Sequence, residues 1–170
     1  MCPTPVRVLT VLAMGVCVAA SSGSSPPAFV AFGNATTLEI SGAETHGATA
    51  TLRIEVLPGN GPAAHIHTRE DETYIVTRGR FRFAHGKQIV DATPGTVLYL
   101  PRNQAHQWLN VGPTPGELIL TVAPAGLEQF FLQAGRRHLA RPKDQSEIIR
   151  LAAEYGIRYV QPLIAQRAKP

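Results

Sequence analysis

The 170-residue sequence predicts an all-β fold, a sandwich or barrel of short antiparallel strands followed by short helices. Turn-forming residues recur at short, regular intervals between residues 37 and 122, as expected for many short strands. One stretch alternates apolar and polar side chains in the manner of a half-buried strand: Leu52, Ile54 and Val56 against Thr51, Arg53 and Glu55. After Pro124 the apolar spacing becomes helical.

Turn signals divide the central region into strands. Turns rich in glycine and proline are expected at residues 58–62, 78–79, 93–95 and 112–116 and near Gly86. The remaining strands are expected near residues 73–77, 80–84, 96–100, 105–111 and 117–122. In one of them Phe81 and Phe83 alternate with arginines, which predicts that both rings lie in the core.

Two helices are predicted in the C-terminal part of the chain. The first has apolar residues at helical spacing over residues 127–134 and is expected to end at Gly135. The second begins at Asp144, which forms a capping-box pattern with Glu147, and is expected to end at Gly156. These helices are expected to pack against the outside of the barrel or to cover one of its ends.

The first 20 residues are predicted to be a signal peptide. Arg7 precedes a short apolar run over residues 8–20 that ends in small residues and is too short to span a bilayer. A membrane anchor, or a lipoprotein attached at Cys17, stays open as an alternative. Cys2 and Cys17 are the only cysteines, so a processed chain would have no thiol to bind a metal.

This reading gives four segments and a location. Residues 1–20 are the signal peptide, 21–36 a linker and N-terminal extension, 37–124 the barrel, and 125–170 a C-terminal helical extension. The protein is expected to be exported to a periplasmic or extracellular space, with no stable membrane span after processing.

The basic residues do not predict a nucleic-acid partner. The net charge of +4 comes from 16 basic and 12 acidic residues, and half of the basic ones follow Gln133. Because no aromatic residues are interleaved with them in a stripe, they are read as a solvated basic tail. We expect a small-molecule substrate, no nucleic acid, and a homodimer formed through exposed barrel edges.

Three histidines and one glutamate form the pattern that carries chemistry. His65 and His67 are two residues apart, which places them on one face of a strand. Glu72 follows at the start of the next strand, and His106 lies on a later strand. If all four side chains point into the barrel, they converge, and three imidazoles with one carboxylate suit a divalent transition metal: Fe, Mn, Ni, Cu, Co or Zn.

The spacing of these residues resembles the two signature motifs of the cupin superfamily. The first motif is Gly59-x5-His65-x-His67-x4-Glu72-x6-Gly79, and the second is Gly95-x5-Pro101-x-Asn103-x2-His106-x3-Asn110. Asn103 departs from the family, which usually has Gly there, but Asn tolerates the left-handed conformation such a turn needs. The tail also looks like that of single-domain bacterial cupins similar to quercetin dioxygenase.

The resemblance implies a fold, a metal site and candidate functions. It implies a double-stranded β-helix, or jelly-roll barrel, in which Glu72 is both a metal ligand and the catalytic base. It favours a metal-dependent dioxygenase acting on a small aromatic or enolisable substrate. Two alternatives stay open: a non-redox isomerase or lyase, and a non-catalytic module that binds a metal or a small ligand.

Strand parity suggests walls for a substrate pocket. Trp108 shares a face with His106, and Tyr74 shares a face with Glu72, so both are candidate pocket residues. For Trp108, packing in the barrel core is an equal alternative. The other histidines are expected to be solvated, and these are His46, His85 and His138.

Overall fold

The computed structural model describes residues 27–164, which contain eleven strands and two helices. The strands are β1 Ala28–Ala31, β2 Asn34–Ile40, β3 Ala50–Val56, β4 His65–His67, β5 Asp71–Arg78, β6 Phe81–His85, β7 Gln88–Ala92, β8 Val97–Leu100, β9 His106–Asn110, β10 Gly116–Ala123 and β11 Ile157–Tyr159. The helices are α1 Leu127–Arg136 and α2 Gln145–Glu154.

The strands form two antiparallel sheets. One sheet has the order β1-β2-β3-β10-β5-β8, and the other has the order β11-β4-β9-β6-β7. Several neighbouring strands, such as β3 and β10 or β4 and β9, are distant in sequence, because the chain crosses repeatedly from one sheet to the other. This arrangement is the predicted jelly-roll barrel, a double-stranded β-helix, with its core between the two sheets.

The predicted inward faces form that core. Leu52, Ile54 and Val56 are buried, whereas the alternate residues of β3 face outward. Phe81 and Phe83 are 0% and 1% exposed, which confirms that both rings belong to the core. Since burial alternates along β3, β5 and β10, each of these strands presents one face to the interior.

The helices differ from the prediction at their ends. Gly135 lies inside α1, where a Cβ atom would come within 2.7 Å of the Phe29 ring, so this glycine allows close packing and does not end the helix. Asp144 precedes α2, but its carboxylate accepts a hydrogen bond from Ala140 N, so the predicted capping box is wrong. Gly156 follows α2 with φ of 76°, which confirms the predicted helix end.

The two terminal segments add strands that the sequence analysis did not predict. Strand β1 and the start of β2 fall within the segment predicted as linker and N-terminal extension. Strand β11 falls within the predicted helical extension and pairs with β4. The predicted signal peptide and both cysteines lie outside the described residues. Over residues 27–164, no helix has the length and apolar character needed to cross a membrane.

Strand β8 forms one edge of the six-stranded sheet. Its outward side chains Val97 and Tyr99 are 62% and 60% exposed. An exposed edge of this kind is where a second chain can pair. The homodimer stays a prediction.

Candidate metal centre

Four side chains stand in a row across the five-stranded sheet. Tyr159 of β11 pairs with His65 of β4, His65 pairs with His106 of β9, and His106 pairs with His85 of β6. Directly paired residues of antiparallel strands share a face, and His65 and His106 face the interior. We call Tyr159, His65, His106 and His85 the transverse row.

The structure brings all four predicted ligands together. His65 and His67 are buried at the two ends of β4, with Ile66 between them on the other face. Glu72 reaches them from β5 in the opposite sheet, and His106 reaches them from β9. One ligand atom from each of these four residues lies within 4.8 Å of the other three. The four residues can therefore hold a metal ion.

Hydrogen bonds to the backbone and to a carboxylate fix the orientation of each imidazole. The Nδ1 atom of His65 lies 2.8 Å from Ala63 O, and that of His106 lies 3.2 Å from Gln104 O. The Nδ1 atom of His67 lies 2.8 Å from Glu70 Oε1. Since each acceptor is an oxygen, Nδ1 carries the hydrogen in all three rings, and each Nε2 presents a lone pair to the cluster.

The converging atoms do not satisfy one another. His106 Nε2 and Glu72 Oε2 lie 2.9 Å apart, yet both are buried without an aligned hydrogen bond. The Nε2 atoms of His65 and His67 lie 3.0 Å apart, and two lone pairs at that distance repel unless a proton or a cation lies between them.

A metal ion fits these distances. Two ligand atoms at right angles around an ion with bonds of about 2.1 Å are separated by about 3.0 Å. One ion would therefore satisfy the imidazole lone pairs and the free carboxylate oxygen at the same time.

Electrostatics favours the protonation states that a metal needs at two of the ligands. Burial lowers the pKa of His65 well below its ordinary value, and the neighbouring His106 and His67 lower it further. Burial would raise the pKa of Glu72, but the charge of His67 and the contact with His106 outweigh it and lower the pKa to about 2. At neutral pH His65 is therefore a neutral ligand and Glu72 an anionic one.

The pKa of His67 moves in the other direction. Burial would lower it, but the carboxylates of Glu72 and Glu70 raise it above the ordinary imidazole value. Without a metal, His67 thus takes up a proton more readily than His65 does. A bound cation would replace that proton, so metal binding is expected to release it.

Sequence reasoning missed Glu70. This residue is 4% exposed, and its side chain accepts the hydrogen bond from His67, an arrangement that in metal sites orients the ligand and raises its basicity. Glu70 follows a bend at residues 68–69 and directly precedes β5, so it lies outside any strand and alternation along a strand does not apply to it. The only signal in the sequence is an acidic residue three positions after His67.

The two predicted pocket residues form a hydrogen-bonded chain that ends at Glu72. Trp108 Nε1 donates to the hydroxyl of Tyr74 over 3.1 Å, and that hydroxyl donates to Glu72 Oε1 over 3.2 Å. Burial and the charge of Glu72 raise the pKa of Tyr74 well above its ordinary value, so the hydroxyl stays a donor. This contact engages Oε1 and leaves Oε2 free to bind a metal. A role for Tyr74 and Trp108 as pocket walls stays a prediction.

The remaining histidines divide into two kinds. His46 and His138 are exposed, as predicted. His85 as a residue is half-buried, but its Nε2 atom is fully buried and has no hydrogen-bond partner among the described residues. The prediction that His85 is solvated is therefore wrong. Its pairing with His106 explains the difference, because it turns His85 towards the barrel interior.

A backbone hydrogen bond connects the second motif to the strand that carries His65 and His67. Asn103 has φ of 63°, which confirms the predicted left-handed conformation. In this conformation its N–H donates to His67 O over 2.7 Å. The loop between β8 and β9 is thereby attached to the strand that carries His65 and His67.

A comparison of the sequence with known families agrees with this geometry. Residues 52–122 match the profile of a family described as the cupin domain. This stretch of the chain is therefore similar to a cupin domain. All four residues of the cluster lie inside the matched residues 52–122, whereas α1, α2 and β11 lie outside them.

Solved structures share this cupin fold at low sequence identity. A predicted oxalate decarboxylase from Thermotoga maritima aligns with a TM-score of 0.52 and 21% identity over 59% of this chain and 92% of that one. An RmlC-like cupin from Shewanella frigidimarina aligns with a TM-score of 0.51 and 20% identity over 61% of this chain and 88% of that one. KdgF from Halomonas sp. aligns with a TM-score of 0.51 and 16% identity over 57% of this chain and 85% of that one. No curated protein sequence matches the chain.

Proposed function

We propose that this cupin is a metal-dependent dioxygenase that acts on a small aromatic or enolisable substrate carrying a hydroxyl group. The observation that carries the proposal is the arrangement of Glu72, whose Oε2 points without a partner into a cluster of three imidazole lone pairs. A divalent transition metal bound there would activate the substrate and dioxygen together, so that both oxygen atoms of dioxygen enter the substrate.

Glu72 is suited to act as the base. Its pKa of about 2 keeps it ionised at neutral pH, and a bound metal would lower the pKa of a coordinated substrate hydroxyl so that the carboxylate could accept its proton. Its cross-strand neighbours Leu100 and Val122 are both buried and apolar, so water has little access to the carboxylate from these strands. The Tyr74 hydroxyl holds Oε1 in place during this transfer.

The same base could serve a reaction without oxygen. A buried carboxylate beside a Lewis acid can also move a proton in an isomerase or lyase reaction, and the aligned Thermotoga maritima protein is described as a predicted oxalate decarboxylase. The two functions differ in whether dioxygen is consumed. Oxygen uptake is therefore the quantity to measure.

The experiment loads metal-free protein with one metal at a time and supplies a flavonol or an enediol. We expect oxygen uptake that matches substrate loss, with incorporation of both atoms from ¹⁸O₂, and uptake that is about 10²- to 10⁴-fold slower in metal-loaded Glu72→Gln. Turnover without oxygen uptake would favour the isomerase or lyase. If no compound turns over and both proteins bind it equally, the chain is a binding module.

A further inference from the structure

The C-terminal extension places a guanidinium group against Tyr159, whose ring lies near His65. Arg141 lies in the loop between α1 and α2, and its Nη2 donates to the hydroxyl of Tyr159 over 2.9 Å. Tyr159 belongs to the transverse row, and its ring centre lies 6.2 Å from that of His65. Arg141 and Tyr159 both lie outside the matched residues 52–122.

The charge of Arg141 has no acidic partner in the described part of the chain. Its second hydrogen bond runs from Nη1 to the backbone oxygen of Gly61 over 3.3 Å, and its Nε is buried without a partner. The aspartates and glutamates of the whole sequence fall within residues 27–164, and there none forms an ion pair with Arg141. A half-buried cation without an anion is costly, so an anionic ligand would stabilise it.

Aromatic rings hold this guanidinium in position. Its central carbon lies 5.4 Å from the ring centre of Phe32 and 5.9 Å from that of Tyr159. Such contacts fix the plane of the group at little conformational cost on ligand binding. The Tyr159 hydroxyl accepts from Arg141, so its own O–H is free to donate, and it has no acceptor among residues 27–164.

Once the charges of a metal ion and the two buried glutamates cancel, the positive charge of Arg141 remains. A divalent cation would be offset by Glu72, which is among its ligands, and by Glu70, which binds His67. The positive charge of Arg141 is then uncompensated on the His65 side of the site. The site as a whole would therefore favour a negatively charged substrate.

We infer that Arg141 and Tyr159 form the subsite for a carboxylate group of the substrate, so that the substrate is an anion held at one end by these residues. This inference rests on the proposed function, because the reacting oxygen of the substrate is taken to lie at the metal cluster. It makes the C-terminal extension a specificity element of the barrel.

The test compares two probes that differ by one carboxylate, catechol and 3,4-dihydroxybenzoate. Both offer the same pair of hydroxyl groups to the metal, and only the second offers a carboxylate to Arg141. Affinities are measured by calorimetry on protein loaded with cobalt(II), after the metal content has been determined. We expect 3,4-dihydroxybenzoate to bind about 10- to 100-fold more tightly than catechol, as for one charged hydrogen-bonded contact.

Two variants and one control assign this difference to the subsite. Tyr159→Phe removes only a hydroxyl, and Arg141→Gln removes the charge. We expect both variants to retain their affinity for the metal and for catechol. The preference for 3,4-dihydroxybenzoate over catechol should shrink in Tyr159→Phe and vanish in Arg141→Gln. Arg137→Gln removes an exposed arginine that pairs with Glu147, and it should keep the full preference.

The possible failures are distinguishable. If cobalt does not load, the metal site and the inference fail together. If cobalt loads but the wild-type protein binds both probes equally, or binds neither, the carboxylate subsite is wrong and the metal site stands. If Arg141→Gln lowers the melting temperature but keeps the preference, Arg141 only attaches the extension to the barrel, and the inference is overturned.

Discussion

His67 donates its Nδ1–H to Glu70 over 2.8 Å, and both side chains are buried. The bond fixes which nitrogen of His67 faces the cluster, and the carboxylate makes that nitrogen a stronger ligand. Replacing Glu70 by Gln keeps the shape but removes the charge. We expect metal affinity to fall about 10- to 100-fold, measured by competition with a chelator. The control is Glu154→Gln on the exposed face of α2, and equal losses in both variants would contradict a role for Glu70.

The second prediction concerns the ligands themselves. His65→Ala, His67→Ala and His106→Ala each remove one lone pair from the cluster and should lower metal affinity by more than the ~10- to 100-fold typical of an outer hydrogen-bond partner. Elemental analysis of the purified variants measures this. The control is His46→Ala, because that side chain is exposed. Full metal occupancy in any of the three variants would show that the site has been placed wrongly.

The third prediction separates coordination by Glu72 from catalysis. In Glu72→Gln an amide oxygen can still coordinate, so we expect a modest loss of metal affinity but a loss of about 10²- to 10⁴-fold in rate once metal is restored. Tyr74→Phe keeps the carboxylate and removes only the hydroxyl that donates to it, so its rate should fall less. Unchanged turnover in metal-loaded Glu72→Gln would exclude Glu72 as the base.

The fourth prediction is that the metal-free protein loses stability in acid. His65 has a pKa well below its ordinary value, so the unfolded state binds more protons and the free energy of unfolding falls as pH drops below about 6.5. Glu72 adds a further loss as pH falls from 4.5 towards its folded pKa of about 2. The raised pKa of His67 acts in the opposite sense near neutrality, and we expect the loss of stability at His65 to prevail.

Melting temperatures of metal-free protein from pH 8 to pH 4 measure this dependence. We expect a fall of several degrees below pH 6.5 that is weaker in His65→Ala, because this variant lacks the titrating ring. Added metal should raise the melting temperature at pH 7 and lose this effect in acid, since protons compete for the imidazoles. A melting temperature that rises on acidification from pH 7 to pH 5 would show that His67 dominates.

The fifth prediction concerns export. The apolar segment over residues 8–20 and the small residues at its end predict a mature chain that begins near Ser21. Mass spectrometry of protein isolated from its native cell measures the N-terminus, and fractionation locates it. An unprocessed chain in the cytoplasm would contradict the prediction, and a lipid-modified Cys17 would support the lipoprotein alternative.

The sequence by itself determined the fold class and the four ligands. Strand alternation operates between near neighbours, so the shared face of His65 and His67 follows from their spacing. Asn103 was predictable for a similar reason, because its backbone preference is a property of the residue and its turn. Motif spacing then connected these two residues to Glu72 and His106.

Only the tertiary structure decided what surrounds the ligands. His85 and Tyr159 join the transverse row through strand pairing with residues far away in sequence, and no local pattern encodes that register. Glu70 lies outside any strand, so alternation along the chain could not place it. Arg141 reaches Tyr159 and Gly61 only because the extension folds back onto the barrel. The spacing of residues along the chain thus predicts the ligands, whereas the residues around them are determined by pairing between distant segments.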